Sequence, residues 1–197
     1  MPSLPPWSTP RPTVAVLATG PSLTPQAVDQ VRKAGLAVIA VNDAYALAPW
    51  CDVLYAADAA WWHVHAQQVQ HFKGVKMTAD ATTPYRSVQR LKQTGVEGYD
   101  PTPGHVRTGG NGGYQAVHVA IQAGAKRILL LGFDMGGTHF FGRHPHPLRN
   151  TPPSAFANWI GRFQGLIGHG AEIINYTPGS ALKCFPSQTL AEALNAG

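Results

Sequence analysis

"VAVLATGPSLTPQAVDQVRKAGLAVIAVND", residues 14–43, carries the pattern that decides the fold. An apolar run at 13–18 breaks into Thr19-Gly20-Pro21-Ser22, a helical pattern follows from Pro25 to Ala34, and Gly35 stops it. A second apolar run, 36–41, then ends in Asn42-Asp43. Thr24 is the expected N-cap, with Pro25 at the first helical position, where its missing N–H is harmless. Both apolar runs are continuous rather than alternating, as in strands covered on both faces. Strand, helix, strand in this order is the unit of a parallel sheet.

The same rhythm extends along the chain. "DVLYAA" (52–57), "VKMTA" (75–79), "RILLLGF" (127–133) and "EIINY" (172–176) read as further strands. Helical patterns are expected at 59–72, 85–93, 113–123 and 154–167, with Gly124 and Gly168 ending the last two. The expected class is α/β: a Rossmann-like open parallel sheet with helices on both faces, in one domain spanning 13–197 behind a proline-rich arm at 1–12. Segments 94–112 and 134–153 are too long for simple connections, which marks them as functional loops.

Composition narrows the function. No apolar run approaches the ~20 residues that cross a bilayer, so no membrane partner is expected. The opening "MPSLPPWSTPRP" lacks the apolar core of a secretory signal and reads as an extended arm. Its Trp7 is a candidate for docking on a neighbouring subunit, which would make a homo-oligomer. Cys51 and Cys184 sit in no metal or redox spacing and read as structural thiols of a reduced, cytoplasmic protein. The net charge is +5, yet charged residues are only 13% of the chain and the basic ones are scattered. That suits a small anionic ligand and lends nucleic acid no support.

In an open parallel sheet, ligands bind beyond the carboxyl ends of the strands. The residues expected there are Gly20, Pro21 and Ser22 after the first strand, Asn42 and Asp43 after the second, and Asp58 after the third. Asp134 follows the strand at 127–133, and Thr177, Gly179 and Ser180 follow the last. The turn at Gly20 can hold phosphate on backbone amides, or be a plain strand-to-helix turn capped by Ser22 or Thr24. Asn42 and Asp43 can bond a ribose or base edge, or make an Asx turn or a cap for the short segment 44–48. Asp58 can contact a ligand or cap its helix. Thr108, Gly109, Gly110, Asn111 and Gly112 form a glycine-rich loop before a helix, suited to cradling an anion or to close helix–sheet packing. Neither the P-loop lysine nor the dinucleotide G-x-G-x-x-G spacing is present. Trp61 and Trp62 face different sides of one helix, and His63 and His65 diverge, so no joint metal ligation is expected.

The segment "GFDMGGTHFFGRHPHPLRN", 132–150, is the expected chemical centre. His144 or His146, in a loop shared with His139, can serve as general base, and Arg143 or Arg149 can neutralise a leaving phosphate. Ligation of a metal by these histidines with Asp134 is the rival reading, although the spacing matches no zinc pattern.

These motifs, taken together, resemble the bacterial sialyltransferase-like group. The residues are "GPSL", "VNDAY", "GGNGGYQAVHVAIQAGAKRILLLGFDM", the histidine-bearing loop and "IINYTPGSAL", covering 13–182. The opening glycine–proline–serine turn is also similar to that of pterin pyrophosphokinase-like proteins, and nearly the whole chain to small bacteriophage and prophage proteins. The resemblance implies that Gly20, Pro21 and Ser22 meet nucleotide phosphates, Asn42 sits by the sugar or base, and 108–112 faces the nucleotide. It also implies that Asp134 stands at the rim, His144 or His146 is the catalytic base, and Thr177 to Ser180 closes over the base. Thr19 stands where that group has asparagine, and the ~20 residues after Asp134 are too few for its acceptor lid.

The expected function is therefore a nucleotide-dependent transferase, foremost a glycosyltransferase using a nucleotide sugar. The alternatives are phosphoryl or pyrophosphoryl transfer from ATP, with Mg²⁺ at Asp43, Asp58 or Asp134, and a binder that sequesters a nucleotide without turnover.

Overall fold

The computed structural model describes residues 13–195, so the proline-rich arm and Trp7 lie outside the described residues. Its organising element is a seven-stranded sheet in which every pairing is parallel. In chain order the elements are β1 (Thr13–Leu17), α1 (Pro25–Lys33), β2 (Ala37–Val41), β3 (Val53–Tyr55), α2 (Ala59–His65), β4 (Val75–Thr78) and β5 (Val88–Arg90). A two-stranded pair, β6 (Lys92–Gln93) and β7 (His105–Val106), precedes α3 (Gly112–Gln122), β8 (Arg127–Leu131), α4 (Ser154–Phe163), β9 (Glu172–Asn175) and α5 (Leu190–Asn195).

The strand order is β5-β4-β3-β2-β1-β8-β9. The chain winds outward from β1 to β5, then returns to place β8 on the other side of β1. That reversal makes the β1/β8 boundary a topological switch point, where an open α/β sheet leaves a crevice.

Alternation along the strands explains why both faces are covered. Val14, Val16, Ile39, Val53 and Ile128 join one buried cluster with α3 and Phe163, while Ala15, Leu17, Val38, Ala40 and Leu129 join another with Val28 and Val31 of α1. Leu54 and Ala56 pack with Trp61 and Trp62 of α2. Helix α3 is buried from Gly113 to Ile121, which is why its sequence is apolar apart from Gln115 and His118, both hydrogen-bonded inside the fold. Each buried valine or isoleucine there contributes about 1.5–3 kcal/mol. The expected cap at Thr24 is present, its Oγ1 accepting from the Ala27 amide at 3.2 Å.

One expected helix is absent: 85–93 forms β5 and β6 instead. Val88 and Leu91 have helical spacing, but pairing Val88 with Lys76 and Arg90 with Thr78 covers the open edge of β4. Tertiary hydrogen bonding overrides a three-residue periodicity. Helix α2 stops at His65 rather than reaching Phe72, and α4 stops at Phe163 before a 3₁₀ turn at Gln164–Leu166. Cys51 and Cys184 are free. Burial pushes the Cys51 thiol up to about 12 and that of Cys184 to about 11, so neither is a ready thiolate. Among the described residues, no helix is long and apolar enough to cross a membrane.

Candidate functional site

The carboxyl ends of β1, β2, β3 and β8, the start of α3, the 134–153 segment and α4 enclose a cleft of about 670 Å³, within the size range of small-molecule sites. Of the residues expected to bind ligand, Gly20, Asn42, Asp58, Gly110, Asn111, Gly112, Asp134, Arg143, His144 and Arg149 line it. The others do not.

The Gly20 turn differs most from expectation. The Asp134 carboxylate accepts from the Ser22 amide at 3.2 Å and from the Ser22 hydroxyl at 2.8 Å. A phosphate expected on the Ser22 amide would meet that carboxylate first. Gly20 donates its N–H to the Gly132 carbonyl at 2.9 Å, and a β-carbon there would strike both that carbonyl and Asp134. Close approach is indeed why glycine occupies the position, but the neighbour is the protein's own side chain. Pro21 and Ser22 fall outside the cleft, and Ser22 lines a separate cavity of about 490 Å³ against α1 and 187–192.

The last expected wall is also structural. Thr177 Oγ1 accepts from the Phe133 amide at 2.9 Å, and Ser180 Oγ donates to the Phe133 carbonyl at 2.6 Å. Both side chains are buried and tie the end of β8 to the turn after β9, while Gly179 is exposed in that turn. None of the three lines the cleft. His146 is exposed and outside it as well.

The glycine loop is held rigidly. Tyr55 donates to Gln115 Oε1 at 2.6 Å, and Gln115 Nε2 donates to the Thr108 carbonyl at 2.9 Å, anchoring the loop to the sheet through buried polar groups. The Gly109 carbonyl accepts from Arg162 at 3.0 Å. Thr108 and Gly109 therefore brace the loop from behind. Asn111 caps α3 by accepting from the Tyr114 amide at 2.9 Å. Gly112 and Gly113, the first two residues of α3, line the cleft at the positive end of the helix.

Two alternatives left open by the sequence are resolved. Asp58 precedes α2 but makes no cap bond; the Ala59 amide goes to Asp80 at 2.9 Å. The Asp58 carboxyl faces the cleft, and burial, then the charge of Asp80, raise its pKa. Asn42 has φ +49° and a buried Oδ1 with no hydrogen-bond partner, so no Asx turn engages it.

Behind the cleft lies a charged cluster that the sequence reading left out in part. His65 Nδ1 sits 3.0 Å from the Trp61 carbonyl, and its Nε2 3.0 Å from Asp43 Oδ1. Both partners accept, so the imidazolium form, which donates from both ring nitrogens, is the form this pocket favours. Its ring stacks on Trp61 with centroids 4.2 Å apart, a favourable placement for a cation. Asp43 also accepts from Trp61 Nε1 at 2.9 Å. Burial alone would raise the Asp43 carboxyl, but the bonds from His65 and Trp61 hold it below its ordinary value. Burial alone would lower His65, and the bond to Asp43 outweighs it.

His144 reaches into the cleft in front of this pair. Its Nδ1 is 3.9 Å from Asp43 Oδ2, its side chain is only 8% exposed, and its backbone is clamped by Asn150 through bonds of 2.8 and 3.1 Å. Burial lowers its pKa despite the Asp43 charge, so it is neutral at pH 7. His139 packs beside it, ring centroids 4.5 Å apart, with Nδ1 at 2.9 Å from Thr19 Oγ1. Arg143 and Arg149 line the cleft and form no ion pair among the described residues. The three carboxylates named as alternative Mg²⁺ positions have separate surroundings: Asp43 with His65, Asp58 with Asp80, Asp134 with Ser22. No group of three His, Cys, Asp or Glu converges on a metal position among the described residues.

His65 had a sequence signal, because it lies four residues after Trp61 on the same face of α2. The pairing with Asp43 had none. No known protein family, curated protein or solved structure matches this chain, so no relative ties it to the sialyltransferase-like or pyrophosphokinase-like groups.

Proposed function

We propose that the cleft takes a nucleotide and that the protein is a nucleotide-dependent transferase, most simply a glycosyltransferase drawing on a nucleotide sugar. The observation that carries this reading is His144: a neutral, nearly buried imidazole in the cleft, with a carboxylate behind its Nδ1. Asp43 favours the tautomer with the proton on Nδ1, which leaves the Nε2 lone pair for an acceptor hydroxyl. As Nε2 takes that proton, the acceptor oxygen bonds to the anomeric carbon, and the bond from that carbon to the phosphate oxygen breaks. The departing phosphate keeps the electron pair. Arg143, Arg149 and the start of α3 supply positive potential for it. The cytoplasm suits such a protein, since Cys51 and Cys184 stay reduced there.

Thermal shift with CMP, UDP, ADP, ATP and their sugar conjugates, with and without Mg²⁺, tests the reading. A ligand at a hundred times its Kd adds about 2.7 kcal/mol, and stabilisation without metal is expected. Stabilisation by Mg²⁺-ATP alone would replace sugar transfer with phosphoryl transfer, and indifference to every nucleotide would overturn both. Where turnover is found, His144→Ala lowers kcat by about 10²–10⁴-fold, while His146→Ala leaves it unchanged.

A further inference from the structure

A nucleotide's base needs a wall, and the segment expected to supply it, Thr177 to Ser180, is tied into the core. Helix α4 offers another. Its Phe163 is fully buried and its Ile160 packs on the same cluster, as an amphipathic helix requires. Phe156 and Trp159, three residues apart, join none of the three buried clusters. Both line the cleft instead, edge to face with ring centroids 5.5 Å apart.

Trp159 differs from the buried tryptophans in one further respect. Trp61 Nε1 donates to Asp43 and Trp62 Nε1 to the Ala56 carbonyl. Trp159 Nε1 has no hydrogen-bond partner among the described residues. It lies beside Gly110, whose φ is +66°; a β-carbon there would sit 3.4 Å from that nitrogen and 2.8 Å from Arg162 Nη1. Arg162, on the same helix, donates to the Gly109 carbonyl, which ties α4 and its aromatic pair to the loop that opens α3.

We propose that Phe156 and Trp159 form a nucleobase subsite, which rests on the nucleotide reading above. The rings stand at 90° to each other, so the Phe156 face stacks on the base while Trp159 meets its edge, the in-plane indole N–H donating to a base acceptor. A purely aliphatic ligand would leave that donor unpaired. A planar heterocycle matches the rings and the donor together. The arrangement puts the base at Trp159 and the phosphate at Gly112, on adjoining parts of one wall.

Calorimetric titration of the full chain with AMP, CMP, GMP, UMP and ribose 5-phosphate tests this. At least one nucleotide is expected to bind about tenfold or more tightly than ribose 5-phosphate, within what stacking supports. Phe156→Ala should abolish that gap, Phe156→Tyr should keep most of it, Trp159→Phe should narrow it by removing the donor, and none of these should alter ribose 5-phosphate binding, which also reports correct folding. Equal affinities for all five compounds in the unaltered protein would overturn the subsite while leaving the anion cleft standing. So would a gap that survives both Trp159→Ala and Phe156→Ala. If none of the five binds, the subsite and the nucleotide reading fall together.

Discussion

His65, in the imidazolium form its pocket favours, donates from both ring nitrogens, and that single fact sets the electrostatics at the residue scale. The raised pKa means that its bond to Asp43 is fully present below the ordinary histidine value of 6.5 and is lost as pH rises through the higher folded value. Asp43, held down, contributes above 3.8 and loses its contribution as pH falls through the lower folded value. Asp43→Asn is therefore expected to cost about 1.5–3 kcal/mol in urea denaturation near pH 6, with a smaller difference from the unaltered protein at pH 9. An NMR titration should find His65 still protonated where His139 and His144, both lowered by burial, are already neutral. The reverse order would remove the carboxylate from its role behind His144. For the base proposed at His144, which burial lowers, the expected outcome is an acid limb of kcat/KM below 6.5, opposite in direction to the His65 effect.

At the scale of elements, two helical glycines separate packing from propensity. Gly113 is the second residue of α3, where a β-carbon would stand 2.8 Å from a ring carbon of Phe133, itself buried. Gly113→Ala should destabilise the fold by about 1–3 kcal/mol through overpacking. Gly161 lies exposed in the last turn of α4, which continues into the 3₁₀ turn, with nothing near its missing β-carbon. Gly161→Ala should stabilise by about 0.5–1 kcal/mol, the helix-propensity difference. Denaturation midpoints of the two variants should move in opposite directions. A glycine loop thus does two things at once: Gly109 packs against Tyr114, Gly110 and Gly112 face the cleft, and Gly113 both packs on Phe133 and lines the cleft.

Across the whole molecule, the switch point between β1 and β8 is bridged rather than open. Asp134 joins the two strand ends through Ser22 and places a negative charge where an anion would otherwise dock. Burial raises its pKa, yet the bonds from Ser22 favour the ionised form. Asp134→Asn keeps an acceptor for the Ser22 amide and removes the charge. Affinity for UDP should then rise by on the order of 1 kcal/mol, about fivefold, because a like charge is gone. Unchanged or weaker binding would show that the ligand's phosphate sits far from the crevice.

Much of this architecture was written in the chain itself. Continuous apolar runs of about five residues, glycine stops and a Thr-Pro helix start are local signals, and hydrophobic burial makes them report strands and helices directly. They also located the rim, since residues that follow parallel strands must gather at one edge. What they could not convey is which polar groups at that edge face the cleft. Thr177, Ser180 and Ser22 read like ligand donors, yet the fold satisfies them internally, because buried hydroxyls and amides take the nearest partner. His65 and Asp43 are 22 residues apart, and Trp159 and Gly110 meet across two elements. Such pairings depend on how helices are laid over the sheet, so only the tertiary structure decided them.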